Sequence, residues 1–310
     1  MFDLKGKVAL ITGGNGGIGL GMAEGLASAG ADIIIAARKA EKSKAAAAAL
    51  AKRGVRTGVV EVNVADEASC RAMVAAAAKQ MGRIDILVNN AGINIRKPPE
   101  TYTVGEWREI LSINLDGAFY CSQAVYPELK KVGGGKIINI GSMMSLFGAP
   151  LTTAYAASKG GIVQMTRALA TAWAKDNIQV NSILPGWIDT ELTQRARIDI
   201  EGLNENVLSR TPAGRWGKPE DFSGIAVFLA APASDFVTGT AIPVCGGFSI
   251  RGCGFASGGP LLARLISRRA RAVSPAPSAR PARRPHPRRR MFRAVRAPGA
   301  ISRHAPRRHD

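Results

Sequence analysis

The stretch Ile11–Gly21, "ITGGNGGIGLG", follows the apolar run "KVALIT" (7–12) directly and opens a helical pattern of small residues. Gly13, Gly17 and Gly19 let a chain turn tightly at the end of a strand, approach a phosphate closely and pack the next helix on its sheet. The free N–H groups at the start of that helix then point at an anion. The spacing is G-x-x-x-G-x-G, and a strand-to-helix turn asks for glycine with or without a ligand. The cluster draws its meaning from its place between a first strand and a first helix.

The same unit recurs outward from there. Apolar runs follow at 31–37, 57–64, 84–89, 135–141, 178–184 and 240–244. Ala-rich helical patterns lie near 17–29, 40–53, 66–81, 105–131, 154–175 and 219–230. Near-continuous apolar strands alternating with helices predict an α/β fold: a single doubly wound, Rossmann-type parallel sheet of about seven strands with helices on both faces. Ligands then sit at the carboxyl ends of the strands. The irregular stretch 186–218 follows the sixth strand and reads equally as a lid or as a surface loop with a small helix.

Charge is unevenly placed. The 310 residues carry a formal +19, but residues 251–310 hold sixteen Arg and a single acid, Asp310. The body, 1–250, is near-neutral, so the expectation is no specific nucleic-acid partner. Cys70, Cys121, Cys245 and Cys253 have no metal-ligand spacing and read as reduced thiols of a cytoplasmic protein. The start, "MFDLKGKVALITGG", reads as no signal peptide, and no apolar window is long enough to predict a membrane span.

The end of the second strand reads the adenosine ribose in such folds. Here it is Ala36, Ala37 and Arg38, with Lys39 and Lys42 behind. No carboxylate is placed for a 2′-hydroxyl, and a guanidinium is placed for a 2′-phosphate, which predicts NADP(H) over NAD(H).

All three histidines (His286, His304, His309) fall in the last 25 residues, so acid–base chemistry in the body needs another side chain. "TAYAASKGG" (153–161) sets Tyr155 and Lys159 one helical turn apart. A phenol titrates near 10, and a neighbouring ammonium is expected to lower that value and make Tyr155 a usable acid–base group. Ser142 closes the strand "GKIINIGS", where its hydroxyl can hold the same substrate oxygen.

Thr12–Gly19, "NNAG" (89–92), Asn114 in "SINLDGAF", Ser142, "YAASK" (155–159) and "PG" (185–186) occur in one order on this α/β pattern. The chain resembles a short-chain dehydrogenase/reductase over about residues 1–250. The resemblance implies a tetrad: Tyr155 as acid/base, Lys159 tuning it and bonding the nicotinamide ribose, Ser142 orienting the substrate oxygen, Asn114 holding a water in a proton relay. It implies cofactor contacts from Thr12, Gly13, Asn15, Gly17, Ile18 and Gly19, and from Asn63 and Val64 beside the adenine. The resemblance also implies that Asn90, Ala91 and Gly92 line the adenine ribose side, that Ile188 and Thr190 grip the nicotinamide carboxamide and pyrophosphate, and that Pro185 and Gly186 contact the cofactor. A structural role for Asn114, mending a helix kink, stays open.

Two departures stand out. Asn63 sits where many relatives carry Asp, and Cys245 replaces an Asp before the glycine pair of "PVCGGFSI". "GINIRKP" (92–98) and "RTPAGRWGKPED" (210–221) are similar to segments of members acting on sugar acids, and Arg96 could pair a substrate carboxylate. The expected reaction is hydride transfer between NADP(H) and a secondary alcohol or ketone of a sugar acid or polyol. A 3-oxoacyl carrier-protein reductase and a non-catalytic NADP(H) sensor are the alternatives. The resemblance also implies a small-molecule substrate and a homotetramer or homodimer.

Residues 251–310 lack Lys, Glu, Gln, Asn, Thr, Tyr and Trp, and Arg, Pro, Ala, Gly and Ser dominate them. Such a segment cannot bury a core and is expected to be a disordered basic tail. Its residues have GC-rich codons and the family pattern stops at "GGFSI", so a shifted or read-through frame is the first reading of its origin, ahead of electrostatic binding to an acidic surface.

Overall fold

A computed structural model describes residues 1–251; the tail expected at 251–310 lies, from residue 252 on, outside the described residues. Seven strands form one parallel sheet in the order β3-β2-β1-β4-β5-β6-β7. They are β1 (Val8–Thr12), β2 (Asp32–Ala36), β3 (Thr57–Val60), β4 (Ile86–Asn89), β5 (Gly135–Ile140), β6 (Ile178–Pro185) and β7 (Ala241–Val244). The helices are α1 (Gly17–Ser28), α2 (Ala40–Ala51), α3 (Glu67–Met81), α4 (Val104–Leu111), α5 (Gly117–Lys131), α6 (Thr153–Trp173), α7 (Glu191–Asp199), α8 (Leu203–Arg210) and α9 (Ser223–Ala230).

Strand side chains alternate between two apolar layers, as a two-residue period requires. Ala9, Ile11, Ile33 and Ile35 pack with α1, α2 and α9 on one face. Val8, Leu10, Ile34 and Leu87 pack with α3, α5 and α6 on the other. The two faces are covered, which is why the strands read as unbroken apolar runs.

The chain runs outward from β1 to β3 and returns across β1 to β4, so strand order reverses between β1 and β4. The crevice above that reversal, at the carboxyl ends of the strands, is where such sheets take ligands.

Three local expectations are corrected. The strand expected over 57–64 ends at Val60. The helix expected over 105–131 is α4 and α5 joined by a π turn, Ser112–Asp116. The irregular 186–218 region contains α7 and α8.

Candidate active site

The glycine turn is built from close approach. Gly13 and Gly17 have positive φ (64° and 51°). A Cβ at Gly19 would lie 2.4 Å from Asn90 Nδ2 and 2.5 Å from the Gly13 carbonyl oxygen. No side chain caps α1, and its first turn holds no acid, so its N–H groups are left to an anion. Thr12 and Asn90 stitch the turn to the loop after β4. Thr12 Oγ1 accepts the N–H groups of Asn90 (3.0 Å) and Ala91 (3.2 Å), and Asn90 Nδ2 donates to the carbonyls of Thr12 and Gly13, both at 3.1 Å.

Two adjoining clefts share Gly13, Asn15, Ala91 and Gly92 and form one groove. The wider end, about 580 Å³, is walled by Ala36, Ala37, Arg38, Lys39, Asn63 and Val64. The other, about 340 Å³, holds Gly17, Ile18, Asn90, Ser142, Tyr155, Lys159, Pro185, Gly186, Ile188 and Thr190. Asn15 Nδ2 donates to Ser43 Oγ on α2 at 3.0 Å, and Asn63 Oδ1 accepts its own loop's Ala65 N–H at 3.3 Å. Thr190 faces the glycine turn: a Cβ on Gly17 would sit 3.3 Å from its methyl group. Glu191 was not legible in the sequence as a groove residue. Its carboxylate accepts from Lys42 Nζ at 2.5 Å, joining α7 to α2 across the groove.

At the second end Tyr155 and Lys159 share a face of α6, with Nζ 5.7 Å from the ring centroid. Lys159 is buried and donates to the Ile140 carbonyl at 2.6 Å; burial pulls its pKa down to about 8. Ser142 and Tyr155 line the same end of the groove, and the Ser142 hydroxyl accepts the Met144 N–H at 3.1 Å. Burial pushes the Tyr155 phenol above its ordinary value, opposed by the Ser142 hydroxyl and by the charge of Arg96. The expected lowering by Lys159 is therefore corrected: burial dominates, and the ammonium points to a β5 carbonyl instead.

Thr12, Gly19, Asn114 and Arg96 do not line the groove walls. Asn114 lies beneath, buried in the π turn. Its Nδ2 donates to the Ile93 carbonyl (2.9 Å) and Ser158 Oγ (3.1 Å), and its Oδ1 accepts the Ile93 N–H (2.8 Å). A Cβ on Gly92 would lie 3.2 Å from Asn114 Oδ1 and 3.6 Å from Lys159 Nζ, so both groups converge on that glycine. One lone pair of Oδ1 remains for a water. Arg96 reaches Tyr155 electrostatically. Cys245 packs under the groove: a Cβ on Gly186 would be 2.8 Å from its Cα, and its Sγ lies 3.2 Å from Ser249 Oγ.

These residues fit a dinucleotide bearing a 2′-phosphate. The glycine cradle leaves no room for a Cβ, the start of α1 is open, and Arg38, Lys39 and Lys42 wall the β2 end. The acid there, Glu191, is already engaged by Lys42.

Residues 13–249 match the sequence profile of the family described as enoyl-(acyl carrier protein) reductase. The chain is similar to 2-dehydro-3-deoxy-D-gluconate 5-dehydrogenase of Formosa agariphila, with 43% identity over 248 residues, covering 80% of this chain and 94% of the relative. It is 41% identical over 250 residues to 5-keto-D-gluconate 5-reductase of Escherichia coli K12, covering 81% and 98%. Among solved structures, a gluconate 5-dehydrogenase from Burkholderia cenocepacia J2315, in complex with NADP and tartrate, superposes with a TM-score of 0.77 at 41% identity, covering 81% of this chain and 98% of that one.

Proposed function

The chain belongs to the short-chain dehydrogenase/reductase family of oxidoreductases, and from that premise we propose that it transfers hydride between NADP(H) and the secondary alcohol or ketone of a sugar acid. The observation that carries this reading is the gathering of Ser142, Tyr155 and Lys159 at one end of a groove whose other end is walled by Arg38, Lys39 and Lys42. The relatives' names supply the substrate class.

NADPH, held by the glycine turn, the open start of α1 and the Arg38 end, supplies the hydride when bound. The chain's own residues do the rest. Ser142 donates its hydroxyl to the substrate oxygen and fixes it beside the phenol. Tyr155, whose phenol is protonated at neutral pH and is pushed further up by burial, donates its proton to that oxygen as it becomes a hydroxyl. Lys159, cationic below about pH 8, steadies the phenolate left behind. A water held on the free lone pair of Asn114 Oδ1 returns the proton. Arg96 pairs with the substrate carboxylate, close enough that its charge is felt at Tyr155.

We further propose a cytoplasmic homo-oligomer. Free Cys70, Cys121 and Cys245 suit a reducing compartment. Val104, Trp107 and Phe119 leave apolar surface on α4 and α5 that a second copy would cover, and light scattering that returned a monomer would remove that part of the reading. Among the described residues no helix is long and apolar enough to cross a membrane.

The test of the chemistry is Tyr155→Phe. NADPH oxidation with a keto sugar acid should fall by about a thousandfold while NADPH binding, read by fluorescence, is kept. Undiminished turnover would remove Tyr155 as the proton donor.

A further inference from the structure

Residues 91–98 form no helix or strand, yet alternate residues are tied down from several directions. Asn114 holds both backbone groups of Ile93. The Tyr102 hydroxyl donates to the Ile95 carbonyl at 2.5 Å. Lys97 donates its N–H to the Leu151 carbonyl at 3.2 Å, just before α6, and its ammonium to both carboxylate oxygens of Glu106 at 2.9 Å. Glu106 is itself fixed. Its Oε2 accepts the N–H and hydroxyl of Thr103 at 2.8 and 2.9 Å, while its own N–H donates to Thr103 Oγ1, a capping box that starts α4. The ammonium of Lys97 and the threonine bonds together hold the Glu106 carboxyl down at about 2.

Arg96 sits between the two anchored residues Ile95 and Lys97, and its charge reaches Tyr155. An arginine on a loose segment loses much rotamer freedom when it grips an anion; one on an anchored segment loses less. Lys97 is engaged by Glu106, and the substrate carboxylate is assigned to Arg96 in the reading above.

We infer that Lys97 and Glu106 are positioning residues for the substrate: their ion pair pins the segment that carries Arg96 and so sets affinity for the substrate carboxylate. This rests on the sugar-acid reading above. The role is separate from cofactor binding, because neither residue lines the groove.

The test is steady-state kinetics of the full chain with NADPH and 5-keto-D-gluconate, comparing Lys97→Met, Glu106→Gln, Lys97→Arg and Arg96→Leu. Lys97→Met leaves the Thr103–Glu106 capping box in place, so it reports the ion pair without the helix start. Lys97→Met and Glu106→Gln are expected to raise KM for the keto acid about tenfold, with kcat and KM for NADPH within about twofold of wild type. Lys97→Arg should restore most of the affinity. A keto-acid KM unchanged in Lys97→Met and Glu106→Gln, while Arg96→Leu raises it, overturns the positioning role alone. A parallel rise in KM for NADPH with a fall in kcat overturns it too, since that marks general loosening. No effect of Arg96→Leu, or no turnover of the keto acid by wild type, overturns both this inference and the sugar-acid reading.

Discussion

Lys159 shows how burial of one side chain shifts its titration and ties stability to pH. Its ammonium is almost wholly out of water with one carbonyl partner, so its folded pKa drops from 10.5 to about 8. Between those values the unfolded chain keeps a proton that the folded chain has released, so stability rises with pH across that window. Below about pH 8 both states hold the proton and the cost of burying the charge is fully felt. The window corresponds to about 3 kcal/mol. Lys159→Met removes the titration. Its stability relative to wild type, from denaturant unfolding, should therefore fall as pH goes from 7 to 10.5, and a difference that stays flat would show that Lys159 titrates normally. Tyr155 and Lys159 were legible because a helix turn brings positions four apart together. The direction of the phenol's pKa was not, because it depends on burial, which a spacing does not reveal.

Packing of α1 and α9 is decided by two glycines. A Cβ on Gly21 would meet the Pro219 carbonyl oxygen at 2.1 Å, and one on Gly25 the Ser223 Cα at 2.6 Å. Gly21→Ala must push the two segments apart and is expected to cost about 2–3 kcal/mol. Gly160→Ala, inside α6 with open space around it, is expected to gain about 0.5–1 kcal/mol from helix propensity. Thermal unfolding of both checks the contrast, and equal effects would contradict it. The strands were legible from their apolar runs. The break between α4 and α5 was not: the π turn has no residue signature and is held by the contacts Asn114 makes with Ile93 and Ser158. Those contacts suit the structural role for Asn114 that the sequence left open, and they leave one lone pair of its Oδ1 unused by them. The region 186–218 read as a lid or as a loop with one small helix, where α7 and α8 stand, because their apolar positions are sparse and Ile198 is 86% exposed.

At the scale of the whole molecule, the sheet gathers the groove at the carboxyl ends of its strands, with α6 adding Tyr155 and Lys159. β1 delivers the glycine turn, β2 the Arg38 end, β4 the loop that carries Arg96, β5 Ser142, and β6 Pro185 and Gly186. That much follows from a strand-by-strand reading, since each motif sits just past an apolar run. What no run could show is that Glu191 crosses the groove to Lys42, or that Lys97 pairs with Glu106 on α4, because an apolar run does not reveal which charged side chains meet. An NADPH-dependent oxidoreductase of sugar acids should discriminate both its cofactor and its substrate. NADPH and NADH oxidation are followed in parallel with 5-keto-D-gluconate and with a 3-oxoacyl thioester. The expected result is turnover of the keto acid with NADPH, at least about tenfold more efficient than with NADH. Turnover confined to the thioester, or dependent on NADH alone, would contradict it.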